Sequence, residues 1–139
     1  MRLVVRQHPV CTEEHQHSLE RIVRPIEQRV LWSKDNSLQS DLSRCDAVIS
    51  HSSSVLLLAT ILGKPAISWN SSTLPDELTA VECGVVDRAS SLSQLQTKLF
   101  APPTISDLER KFRLTRITGP LGGAAERVAN YIAGKVRND

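Results

Sequence analysis

The sequence predicts an α/β fold in which a mostly parallel sheet of about five strands is covered by helices on both faces. Two observations carry this: short aliphatic runs recur along the chain, and between them apolar residues repeat at helical spacing. Strands separated by helices are joined by crossovers, which make neighbouring strands parallel and bury both sheet faces. A third observation agrees, since polar clusters follow several of the runs directly, where such a sheet gathers its loops.

Taken in order, Leu3 to Val5 form a β-branched run that Pro9 ends, and Leu19, Ile22, Val23 and Ile26 mark a helical stripe that Pro25 brings near its close. "RVLWS" (29–33) is the second strand, and Leu38, Leu42 and Cys45 share a helix face that Asn36 or Ser37 caps. "DAVIS" (46–50) is the third strand, "VLLLATIL" (55–62) a buried helix closed by Gly63, and "KPAISW" (64–69) the fourth strand. Beyond the loop "NSSTLP", "DELTAVECG" reads as a short helix ending at Gly84, and "VVD" (85–87) as a fifth strand. Leu92, Leu95 and Leu99 mark a further helix. Ile105 to Ile117 is helical but less regular, and after the break at "GPLGG" the residues Ala125, Val128, Ala129, Ile132 and Val136 give an amphipathic closing helix. The result is a doubly wound, three-layer expectation.

The 139 residues are one domain's worth, expected to span 1–139 as a single unit. Aromatic residues are only 4% of the chain, so aliphatic side chains must build the core. A formal net charge of +2, with dispersed basic residues, does not argue for nucleic acid. Cys11, Cys45 and Cys83 are widely spaced with no CxxC pair, which fits reduced thiols in the cytoplasm, small and buried. "MRLVVRQHP" lacks the apolar core of a signal peptide, and "VLLLATILG" is too short to span a bilayer, so the chain is expected to be soluble or peripheral at the membrane's inner face.

In a doubly wound sheet, ligands bind beyond the carboxyl ends of the strands, and three polar clusters fall there: "RQHP", "SHSSSV" and "WNSST". Ser52, Ser53 and Ser54 stand where a helix begins, with hydroxyls and backbone N–H groups together, which is either an N-cap or an anion site. His51 adjoins them. His8, locked to Pro9, is either a solvent-facing strand end or a phosphate donor in the same layer. By strand alternation Arg6, not Gln7, shares the face of His8, as a ligand or as a packed strand residue. Trp69 could stack on a base or pack. Gly122 and Gly123 read as a turn or as phosphate-facing N–H groups.

Cys11, His15 and His17 near His8 match no standard zinc spacing, so no metal is expected, and no GxSxG elbow supports a serine hydrolase.

"VVRQHP", "DLSRCDAVISHSSSVLLLATILGKPAISW" and "GGAAERVANYI" together resemble the C-terminal, nucleotide-sugar-binding half of GT-B-fold glycosyltransferases. The likeness is to bacterial capsule and surface-polysaccharide enzymes, sialyltransferase-like or Kdo-transferase-like, with HP and serine-rich motifs; it covers residues 3–70 well and the last helix loosely. It implies a Rossmann-like domain in which His8, with Pro9, and Ser52 to Ser54 contact the donor phosphate of a CMP-, CDP- or UDP-linked sugar. Gly63, Lys64 and Pro65 match a structural turn. Where many relatives carry a ribose-holding glutamate, this chain has Leu58.

The resemblance also implies an N-terminal Rossmann half carrying the acceptor site, for which this chain has no room. The expectation is therefore a fragment, a truncated product or one part of a two-chain enzyme, inactive alone, with its catalytic residues unassigned. A non-catalytic binding or interaction domain, paired as a homodimer through an open sheet edge, and a sugar-nucleotide epimerase-like domain are the alternatives. No cofactor is expected.

Overall fold

The computed structural model describes residues 2–33, 37–51, 53–70, 79–101, 105–119, 122–127 and 129–130. The chain divides into two compact units, Met1–Asp46 and Ala47–Asp139.

In the first unit, strand β1 (Leu3–Val5) leads to helix α1 (Glu13–Val23), and a 3-10 segment (Arg24–Arg29) leads to strand β2 (Val30–Trp32) and helix α2 (Leu38–Arg44). The strands are parallel, with Leu3 opposite Val30 and Val5 opposite Trp32. Thr12 caps α1 by accepting from the His15 N–H, and Glu13 and Glu14 place negative charge at the positive end of the helix dipole. Pro25 has no N–H to give, so the regular helix stops at Val23 and the proline falls in the tighter segment beyond. Of the stripe that marked this helix, Val23 is buried, while Ile22 and Ile26 are exposed. Ser37 caps α2 through the Ser40 N–H and Leu42 is buried, but Cys45 lies just past the helix, its Sγ donating to Leu42 O.

The second unit runs β3 (Val48–Ser50), α3 (Ser54–Ile61), β4 (Ala66–Trp69), α4 (Thr79–Glu82), β5 (Asp87–Ala89), α5 (Leu92–Phe100) and α6 (Asp107–Thr118). Its sheet has the order β3-β4-β5, parallel throughout. Helix α3 packs on β3 and β4 and α5 on β4 and β5. Leu56 and Ala59 bury one face of α3, and Ile67, Val86, Ala89 and Leu114 complete the interior. Gly63, at φ 72°, ends the α3 turn in a left-handed conformation that a Cβ disfavours, and Lys64 N–H then returns to Ala59 O.

The fifth strand lies two residues later than the apolar pair suggests. Val85 and Val86 are buried, yet their N–H groups turn back to Ala80 O at 2.9 and 3.0 Å. Their aliphatic side chains therefore fill the core from a turn, and the ladder begins only at Asp87, opposite Ile67. The closing helix is described over 124–127 and 129–130; Ile132 and Val136 lie outside the described residues.

The mixed α/β character and the parallel pairing stand. The five described strands, however, are hydrogen-bonded as two sheets, one of two strands and one of three. With three or four residues per strand, each ladder holds three register pairs and little more.

Candidate functional site

The three strands of the second unit point the same way, so β3, β4 and β5 all end at one edge, and the helices that follow β3 and β5 both start there. Each start is capped by serine. Ser53 Oγ accepts from Val55 N–H at 3.3 Å, and Ser91 Oγ accepts from Gln94 N–H at 3.3 Å. Gln94 also reaches back, Oε1 accepting from Ser90 N–H and from Ser90 Oγ. The first N–H groups of any helix lack intrahelical acceptors, so this edge carries two sets of donors at positive dipole ends.

Ser53 is half-buried and Ser54, the first residue of α3, is exposed. His51 is exposed just after β3, and Ser52 lies outside the described residues. The middle strand ends in buried polarity: Ser68 is fully buried and Asn70 nearly so, the Asn70 N–H donating to Ala89 O at 3.0 Å. Trp69 is half-buried. The rest of "WNSST", Ser71 to Thr73, lies outside the described residues. Gly122 and Gly123 are exposed with positive φ, and Arg127 donates to Gly122 O, the arrangement of a turn.

In the first unit, β1 ends at Val5 and Arg6 follows. The Arg6 guanidinium is engaged by Asp41 at 2.7 Å and by Ser33 Oγ at 3.3 Å. The packed reading of Arg6 thus has defined partners, which the sequence could not reveal because Asp41 is 35 positions away. Gln7, set aside by alternation, is half-buried, and its Nε2 has no hydrogen-bond partner among the described residues. A bound acceptor oxygen would satisfy such a donor.

His8 and Pro9 are exposed in the turn after β1. Val10 N–H donates to His8 Nδ1 at 3.3 Å, which requires an unprotonated Nδ1 and leaves the proton of the neutral ring on Nε2 as a donor. The same turn is closed by Cys11 N–H to His8 O at 2.9 Å. His15 faces Thr12, Nδ1 to Oγ1 at 3.0 Å, and no three acidic, histidine or cysteine side chains among the described residues are grouped to hold a metal ion. Surface depressions of this unit run along α1, lined by Glu13, Glu14, His17 and Arg21 in one and Arg24, Glu27 and Trp32 in the other; neither includes Arg6 or His8.

No protein-family model matches this chain, and neither a curated protein nor a solved structure does. Among the described residues, no helix is long and apolar enough to cross a membrane.

Proposed function

We propose that the chain is the donor-binding part of a glycosyltransferase of surface-polysaccharide type, Rossmann-like in arrangement, taking the phosphate of a CMP-, CDP- or UDP-linked sugar. The observation that carries this reading is the start of α3, a serine-capped helix beginning four residues after a parallel strand ends. Helix starts of this kind favour anions, because N–H donors and the dipole act together without the cost of placing a cation there. The resemblance also assigns a phosphate contact to the His8–Pro9 turn, for which Nε2–H is the available donor. In glycosyl transfer the phosphate leaves with developing negative charge, and fixed donors at that point lower the barrier. The catalytic base and acceptor site belong, on this reading, to a further Rossmann half or a partner chain. Three free thiols suit a reducing cytoplasm, where the chain would act.

The test is titration with CMP, CDP, UDP and GDP, followed by NMR and thermal shift, for the wild type, His8→Ala and a Ser53→Ala/Ser54→Ala pair. One nucleotide should stabilise the wild type and neither variant. A flat response to every nucleotide would overturn the reading, as would binding that survives in both variants.

A further inference from the structure

The segment leaving β1 carries Arg6 and, two residues on, His8. The Ser33 N–H donates to Val5 O at 2.9 Å, which continues the parallel register past β2 and sets Ser33 beside Arg6. Asp41 reaches the same place from the first turn of α2. Its Oδ2 accepts from Arg6 Nη1 at 2.7 Å and from Ser33 Oγ at 2.5 Å, while Nη1 also donates to Ser33 Oγ at 3.3 Å. The three side chains thus close a triangle of hydrogen bonds, and a guanidinium on a long flexible stem is gripped through one of its nitrogens. The Asp41 side chain is 11% exposed and that of Arg6 38% exposed. The carboxylate therefore lies inside, and the guanidinium reaches out past it at the C-terminal end of a parallel strand pair, where such folds bind their ligands.

We propose that Arg6 contacts the donor phosphate and that Asp41, with Ser33, is its positioning residue. The inference rests on the donor-binding reading above and deepens it, because it names how that anion is met beside the His8–Pro9 turn. The ligand and packed readings of Arg6 then describe one arrangement. On formal charge Asp41 cancels Arg6, so the pair offers little net attraction; what it offers is a direction fixed before the anion arrives, which lowers the ordering cost of binding. Arginine suits this better than lysine, since its planar group carries five N–H donors and can be held at one nitrogen while presenting others. A hydrogen bond from such a group to a phosphate oxygen is charge-assisted and among the stronger ones available.

The experiment is calorimetric titration of the full chain with CMP, CDP and UDP, with thermal unfolding of every variant. Arg6→Ala should weaken the nucleotide that binds by about tenfold or more. Asp41→Asn keeps an acceptor oxygen for Arg6 and Ser33 and should bind at least as tightly as the wild type. Asp41→Glu keeps the charge but carries it one methylene away, and should bind about tenfold more weakly. In an Arg6→Ala background neither Asp41 variant should change affinity further, even where it changes stability. Should the glutamate variant fail to fold, the other two still carry the test: Arg6→Ala must lose affinity and Asp41→Asn must keep it. The inference alone is overturned if the wild type binds a nucleotide and Arg6→Ala or Asp41→Glu binds it equally well. It is also overturned if the Asp41 effects are as large without Arg6, or if affinity merely follows thermal stability across the series. A wild type that binds none of the three nucleotides overturns the donor-binding reading and this inference with it.

Discussion

Arg6 Nη1 lies 2.7 Å from Asp41 Oδ2, the oxygen to which Ser33 Oγ also donates at 2.5 Å. One carboxylate therefore ties the residue after β1 to the residue after β2 and to α2, closing the C-terminal edge of the parallel pair. The Asp41 side chain is only 11% exposed, so removing it leaves a guanidinium and a hydroxyl short of an acceptor in partly dry surroundings. Asp41→Ala should cost about 1–3 kcal/mol, most of it from the stranded donors. Urea unfolding with an unchanged m-value measures it. In a double-mutant cycle with Arg6→Ala the two losses should fall short of additive; strict additivity would show that the pair is not coupled.

Capping and anion binding at Ser53 can be separated by three substitutions. Ser53→Ala loses the hydroxyl that accepts from Val55 N–H and should cost about 1 kcal/mol of stability. Ser53→Gly should cost only a few tenths, and Ser53→Asp should keep the cap and gain from the helix dipole. Nucleotide affinity should rank differently: the aspartate variant, stable as it is, should bind worst because its charge repels phosphate. If affinity merely follows stability across the series, as read by calorimetry and thermal unfolding, the serine is a cap and nothing more.

Gly84 carries two constraints at once. Its φ is 64°, and a Cβ added there would stand 2.5 Å from Arg113 Nη1, the group that satisfies the carbonyls of Cys83 and Gly84. Gly84→Ala should thus cost about 1–2 kcal/mol for the left-handed backbone, and more for the displaced arginine. In an Arg113→Ala background only the backbone part should remain. Equal losses in the two backgrounds, measured by denaturant midpoint, would remove Arg113 from the account.

The elements that sequence alone resolves are those whose determinants are local. Ser37, Ser53 and Gly63 sit at helix ends where cap chemistry acts within a few residues, and α2 and α3 fall within one or two positions of their expected bounds. Val85 and Val86 mislead because burial, not extension, is what their side chains report. The Arg6–Asp41–Ser33 cluster is invisible to periodicity, since it joins three elements through side chains that look like ordinary surface polar residues. Ser68 is hidden for a related reason: one serine within "AISW" does not announce full burial in a middle strand. The serine run after β3 was legible as a helix start, and its chemistry beyond capping rests on the titrations above.

Helix α3 offers the sharpest contrast between two leucines of one turn. Leu56 is fully buried and Leu58 is 42% exposed. Leu56→Ala should cost about 2–5 kcal/mol through a cavity beneath the helix, while substitution at Leu58 should stay within about 1 kcal/mol. That tolerance makes Leu58 usable as a functional probe. On the proposed function it stands in the place of a glutamate that many such enzymes use to hold the donor ribose, so Leu58→Glu should fold normally and tighten binding of a nucleotide without tightening binding of inorganic phosphate. Isothermal titration of both ligands against both proteins makes the comparison. A glutamate variant that stays folded yet gains nothing for the nucleotide would count against a ribose alongside α3, and one that gains equally for phosphate would point to a general electrostatic change instead.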